Sequence, residues 1–218
     1  MRVRGNFAYL LVSLLAFLLI IAFLDQYPLM GGDQVLMFLI EGTLIVGVWS
    51  IAPHRIWFRI GILLITVGAI NILMHAIFAH AWANYVNLAV ALLFYLFTTF
   101  LAFEVLFTGE KVDLNMIMGS ICVYILVGIT WSIFYFFESV IHPSAFNGIV
   151  VEVGNQRFTD LLYYSYVTLS TLGYGDITPV TPIARTLAFL EALFGQFYIA
   201  ILVASFVGMH ISVRRSKS

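Results

Sequence analysis

An all-α membrane protein with six transmembrane helices, and a re-entrant helix and loop between the fifth and sixth, is the fold class this sequence predicts. Three observations carry that reading. Of 218 residues, 62% are hydrophobic and only 10% are charged, against about 25% charged in an ordinary soluble domain. Six apolar segments each approach the length a helix needs to cross lipid. A further apolar piece, too short to cross, sits in the longest connection. So little polar surface cannot cover a water-exposed globule, so the solvent for most of the chain is the lipid bilayer. The net charge of −1 speaks for no nucleic-acid partner. The single cysteine, Cys122, lies inside an apolar run. An intrachain disulfide is therefore excluded, and the redox compartment stays open.

At 1.5 Å per residue, about 20 apolar residues span the hydrocarbon core. The first segment, Phe7–Leu24, follows Met1-Arg2-Val3-Arg4 and has the outline of a signal peptide. Its 18 residues exceed the usual ~7–15 of a signal core. It also runs into Asp25-Gln26-Tyr27-Pro28 instead of a small-residue cleavage site, so it reads as a retained first span. The remaining spans are Val35–Ile51, Ile56–Phe78, Trp82–Phe107, Met116–Val140 and Pro182–His210. The breaks between them carry turn chemistry, as in Tyr27-Pro28-Leu29-Met30-Gly31-Gly32-Asp33 and Thr108-Gly109-Glu110-Lys111. Six crossings put both termini on one side. That side collects Arg2, Arg4, Arg55, Arg59, Lys111, Arg214, Arg215 and Lys217, against Arg157 and Arg185 opposite. By the positive-inside rule both termini are cytoplasmic and the chain is a multi-pass protein of the cell membrane. Trp49, Trp57 and Trp82 then fall near helix ends, at headgroup level.

The connection before the last span is about forty residues long and contains the short apolar piece, Phe158–Leu172. It runs into Thr171-Leu172-Gly173-Tyr174-Gly175-Asp176. Non-helical backbone at membrane depth is tolerated only where protein buries it or where it lines a water-filled cavity. A half-helix followed by Gly-x-Gly, held between two spanning helices, fits that exception. This segment resembles the selectivity filter of the tetrameric potassium channels, and the half-helix before it resembles their pore helix. The likeness extends over Met116–His210, roughly the C-terminal half.

The resemblance implies the roles. Backbone carbonyls of Thr171, Leu172, Gly173 and Tyr174 replace the hydration shell of a potassium ion, and the Thr171 hydroxyl adds an inner ring of oxygens. Successive carbonyls face one axis only with positive φ, which Gly173 and Gly175 reach at no steric cost. Tyr174 points away from the axis into the pore-helix layer. Asp176 braces the outer mouth, and Glu138 resembles a glutamate that hydrogen-bonds behind the filter. Gly195, 22 residues after Gly173, stands where many relatives place a hinge glycine; close helix packing is the other reading. One loop per chain implies a homotetramer, with potassium as permeant ligand and no cofactor. The chain also departs from its relatives. Tyr163 and Tyr164 replace a tryptophan pair, Val167 replaces a buried glutamate found in some members, and Leu172 replaces valine or isoleucine. Bracing of Asp176 then falls to a tyrosine hydroxyl such as that of Tyr163. Glu191, an ionisable residue inside the last span, is a gating candidate, with a structural pairing as its alternative.

Residues 1–110 form a four-helix membrane domain, and residues 111–218 the pore domain. The fourth span holds no Lys or Arg, and its only charge is Glu104. Moving one charge through the membrane field is worth about 2.3 kcal/mol per 100 mV, so gating by such a helix is not expected. Arg59 and Glu104 are placed to pair, whereas Glu41 has no evident partner. His75 and His80 are five apart, a poor spacing for a metal site. Asn71, Asn84 and Asn87 fit interhelical hydrogen bonds. Eight residues follow His210, too few for a cytoplasmic ligand-binding domain. An enzyme would need a buried catalytic set such as His-Glu-x-x-His, Gly-x-Ser-x-Gly or facing aspartates, and none is present. A weakly selective cation channel would usually depart at Tyr174 or Gly175, both retained. A transporter with four such loops exceeds this length, which leaves a non-conducting accessory subunit as the remaining alternative.

Overall fold

The computed structural model describes residues 7–27, 32–51, 55–78, 82–107, 113–149 and 156–215. The side chains of Trp57, Trp82, Asn71, His75, His80, Asn84, Asn87 and Arg157, and of the basic residues at both chain ends, lie outside the described residues. The elements are α1 (Phe7–Gln26), α2 (Gly32–Ile51), α3 (Arg55–Phe78), α4 (Trp82–Phe107), α5 (Leu114–Ile141), β1 (Phe146–Asn147), α6 (Gln156–Leu169), β2 (Thr178–Pro179) and α7 (Pro182–Arg215). Each apolar segment read from the sequence coincides with one helix, with ends shifted by a few residues. The last helix runs on past His210 to Arg215, and α6 stops at Leu169, so Leu172 stands outside the helix.

Among the described residues, three helical stretches are long and apolar enough to cross a membrane: α1, α5 and residues Pro182–Gly208 of α7. Shorter apolar stretches, Phe38–Ser50, Phe58–Ile70 and Ala89–Glu104, lie within α2, α3 and α4. The molecule is thus an all-α protein whose helices suit a lipid environment.

The central helix is α5, because it is buried on most of its circumference. It packs against α1, α4, α6 and α7, and its buried positions include Cys122, Val123, Leu126, Ile129 and Ile133. Asp113 caps it, accepting from Met116 N at 2.8 Å, the usual role of an aspartate at a helix start. α1 offers Phe7, Leu10, Leu14, Phe17 and Ile21 to the core, alternating by three and four residues, the repeat that keeps one stripe against a partner helix. Its other face leaves Tyr9, Val12, Leu15, Leu19 and Phe23 exposed. Phe7 N donates to Asn115 Oδ1 at 2.9 Å, and the Tyr9 and Trp49 rings meet edge to face at 5.6 Å. The start of α1, the end of α2 and the start of α5 therefore share one end of the bundle.

Candidate functional site

The loop after α6 begins by closing that helix. Ser170 N donates to Tyr166 O at 3.0 Å, Thr171 N to Thr168 O at 2.9 Å, and Leu172 N and Gly173 N share Val167 O at 2.9 and 3.3 Å. These bonds satisfy carbonyls that a helix end otherwise leaves open. From Thr171 onward φ is left-handed at every second residue: Thr171 at 58°, Gly173 at 58° and Gly175 at 79°. Glycine takes such angles without a steric cost. Thr171 is β-branched, and its φ is a true outlier. Two contacts hold it: its own N–H on Thr168, and Gln196 Nε2 donating to its Oγ1 at 3.1 Å. Alternating handedness turns successive peptide groups the same way, whereas a pleated strand sends them to opposite sides. The result is a row of oxygens able to take the place of water around a cation. On the single chain Leu172 is 55% and Tyr174 67% exposed.

Outside this strand, three contacts hold its exit. Tyr163 donates to Asp176 Oδ2 at 2.7 Å, and that bond holds the Asp176 carboxyl below the usual carboxylate range. Gly148, at φ 87°, lies so close to the Asp176 carbonyl that any Cβ there would collide with it. The third is the antiparallel pairing of β1 with β2, Phe146 opposite Pro179 and Asn147 opposite Thr178. Val180 N extends it by donating to Ala145 O at 2.7 Å. Glu138 is buried one step further along. It accepts from Thr181 Oγ1 at 2.7 Å, and His142 Nδ1 lies 3.2 Å from it. Thr181 in turn accepts from Ala184 N at 3.2 Å, so Glu138 fastens the cap of α7 and touches the strand's exit, not the strand. The adjacent tyrosines diverge, as the 3.6-residue repeat requires. Tyr163 faces Asp176, while Tyr164 packs against the rings of Tyr135 and Phe146 at 5.0 and 5.4 Å.

The inner side is set by α7. It runs as one helix through Gly195, and a Cβ at that position would strike the carbonyl of Leu169 at the end of α6. Gly195 therefore acts here as a close-packing glycine. The approach it permits is what brings the next residue, Gln196, to Thr171. Four turns' worth of polar contacts join α5, α6 and α7 behind the loop. Tyr198 Oη donates to Ser120 O at 2.7 Å, and Tyr166 Oη to Ile125 O at 2.8 Å. Glu191, fully buried, meets Tyr135 Oη and Ser165 Oγ at 2.5 Å each.

Sequence reasoning singled out Thr171 to Asp176, Tyr163, Tyr164, Glu138, Gly195 and Glu191. The structure brings Tyr163 to Asp176 and carries Tyr164 and Glu138 away from the strand. Gln196, Ser165, Tyr135, Gly128 and Gly148 were missed. Only Asn147-Gly148 bore a readable signal, as a turn dipeptide.

Comparison with known proteins finds relatives for part of the chain. Residues 123–211 match the family model described as ion channel. Over 86 residues the chain is 31% identical to the inward rectifier potassium channel Kirbac3.1 of Paramagnetospirillum magnetotacticum, covering 35% of this chain and 29% of that protein. Over 57 residues it is 39% identical to two-pore potassium channel 5 of Arabidopsis thaliana, covering 26% and 14%. Over 48 residues it is 46% identical to two pore potassium channel c of Oryza sativa subsp. japonica, covering 22% and 10%. The chain thus spans less than a third of the length of each of these relatives. No solved structure matches it significantly. The matched family model and relatives are ion channels and not enzymes: over residues 123–211 the chain is similar to ion channels, and the relatives it resembles are potassium channels.

Proposed function

We propose that this chain is one subunit of a potassium-selective channel, in which four copies enclose a single pore and pass potassium down its gradient. The observation that carries the reading is the alternation of left-handed φ at Thr171, Gly173 and Gly175, on a loop between two membrane-length helices. Carbonyls of Thr171, Leu172, Gly173 and Tyr174 ring the ion, and Gly175 and Asp176 lead it to the outer mouth. α6 is the re-entrant helix, and its C-terminal end directs partial negative charge toward the cavity, favouring a cation.

Assembly from four copies is supported by what one chain leaves uncovered. Leu172 and Tyr174 are exposed, and α7 exposes Phe189, Leu193, Phe197 and Ile201 at four-residue intervals along one face. One strand supplies one side of a coordination shell, so the ring needs further copies of the same chain. Six crossings, with both termini on the cytoplasmic side of the cell membrane, are supported by the distribution of basic residues and are consistent with the shared end of α1, α2 and α5. Potassium is the permeant ion, the bilayer is the other partner, and no cofactor is called for.

The test is ion flux into liposomes containing the purified full chain, comparing potassium with sodium gradients and adding barium, together with the native mass of the assembly. Barium-sensitive flux that strongly prefers potassium, from a particle of four chains, is the expected result. Equal flux of the two ions defeats the selective reading. A particle of one or two chains defeats the fourfold one.

A further inference from the structure

The buried cluster around Glu191 counts its own protons. Three short oxygen–oxygen contacts meet there: Tyr135 Oη to Glu191 Oε2 at 2.5 Å, Ser165 Oγ to Glu191 Oε1 at 2.5 Å, and Ser165 Oγ to the Gly128 carbonyl at 2.8 Å. Each needs one proton between its oxygens. Tyr135 supplies one and Ser165 supplies one. The Gly128 carbonyl is an acceptor only. With an ionised carboxylate, Ser165 would serve either Glu191 or Gly128 and leave two acceptor oxygens facing each other. With a carboxylic acid the set closes: Tyr135 donates to Oε2, Oε1–H donates to Ser165, and Ser165 donates to Gly128. All four groups are buried, Glu191 and Ser165 at 0% exposure, where an unmatched polar contact is costly.

We propose that Glu191 is a positioning residue that enters this network in its acid form and ties the outer half of α7 to α5 and α6, fixing the re-entrant helix from behind. The network spans the three elements that carry the loop: Tyr135 and Gly128 on α5, Ser165 on α6, Glu191 on α7. Gly128 admits the close approach, since a Cβ there would collide with the Tyr166 ring. Ser165 lies six residues before Thr171 on the helix whose C-terminal carbonyls close onto Leu172 and Gly173. Four residues, about one turn of α7, separate Glu191 from Gly195, the glycine in contact with the end of α6. A shift at Glu191 is therefore passed to the start of the carbonyl row. This rests on the channel reading for its consequence, and on geometry alone for the protonation state.

Two measurements on the full chain in liposomes decide it. Infrared difference spectra of wild type and Glu191→Gln should show a protonated carboxyl C=O band in wild type that the variant lacks. That result does not depend on conduction, so it stands or falls even if no potassium passes. In the flux assay, Glu191→Gln keeps two acceptor–donor contacts, because its C=O accepts from Tyr135 and its NH₂ donates to Ser165. Its potassium flux and its preference over sodium should stay within about twofold of wild type. Glu191→Ala leaves Tyr135 and Ser165 without their shared partner and should lower potassium preference by about tenfold, the scale of one buried polar group left unmatched. A wild-type spectrum without the acid band, or a Gln variant as impaired as the Ala variant, overturns the proposal. The latter would mark a carboxylate acting by its charge. An Ala variant equal to wild type would overturn the positioning role.

Discussion

The N-terminal helices and the loop-bearing module use the same apolar alphabet to different ends. α1 is held by a stripe of Phe7, Leu10, Leu14, Phe17 and Ile21. Lipid tails are as apolar as these side chains, so packing and not water exclusion is what favours that stripe. Around α5, α6 and α7 a second kind of contact dominates, one that α2, α3 and α4 also carry at Gly61, Gly68 and the buried Thr43–Tyr95 hydroxyl pair. Glycines stand where backbone or rings come too close for a Cβ, at Gly128, Gly148 and Gly195. Buried hydroxyls and carboxyls bond specific partners, as at Glu138–Thr181 and Tyr166–Ile125. A stripe of leucines tolerates small slides; a hydrogen bond at 2.7 Å between two helices does not. The first region is built to stay in place, the second to hold a geometry. Within the first, some buried polar atoms lack a hydrogen-bond partner among the described residues, Asp25 Oδ1 and Thr99 Oγ1 among them. Glu41 is buried, with Oε2 lacking a hydrogen-bond partner among the described residues, and it presses against Gly68.

The contrast breaks most sharply at Gly173. A Cβ there meets nothing within 4 Å on the single chain, so the cost of Gly173→Ala is conformational. A left-handed φ disfavours an L-residue by roughly 1–2 kcal/mol, once in each copy of a proposed ring, and relaxing it turns a carbonyl out of the row. Potassium preference in the liposome assay is expected to be lost, with the assembly's mass unchanged. A Gly173→Ala channel that keeps full preference would mean the loop is not the filter.

A smaller effect is expected at Gly195. Its Cβ has nowhere to go but the Leu169 carbonyl, so Gly195→Ala should push α7 from the end of α6 and loosen Gln196 from Thr171. Overpacking of this sort costs about 1–3 kcal/mol. Melting of the detergent-purified protein should fall, and potassium preference should weaken without vanishing. If preference is untouched while channel opening alone changes, Gly195 works as a hinge after all.

Smallest of all for selectivity, and sharpest for the comparison, is Leu14→Ala. Leu14 is fully buried on the stripe of α1. The cavity should cost on the order of 2 kcal/mol, at the low end for a buried leucine because no water is excluded. Melting temperature should drop while the potassium-to-sodium ratio stays at the wild-type value. A changed ratio would show that the N-terminal helices reach the loop energetically and are more than a mount.

Much of this was legible before any coordinates. Apolar runs near membrane length placed all six long helices, since the backbone in lipid has little choice but to bond to itself. Thr171 to Asp176 declared the loop because Gly-x-Gly in that setting has few other uses. Glu191 also announced itself, as an acid where acids are rare. What it touches was not legible, because Tyr135 lies 56 residues and Ser165 26 residues away in the chain.

The sequence by itself thus determined which stretches are helices, which loop carries glycines for left-handed turns, and where an ionisable residue sits out of place, for these are properties of local composition and period. The tertiary structure alone decided the rest. It separated Tyr163 from Tyr164, moved Glu138 to the cap of α7, made Gly195 a contact in place of a break, and brought Gln196 to a threonine no motif would pair it with. Those outcomes depend on which helix faces meet and how near their axes come, and a sequence states neither until the chain is packed.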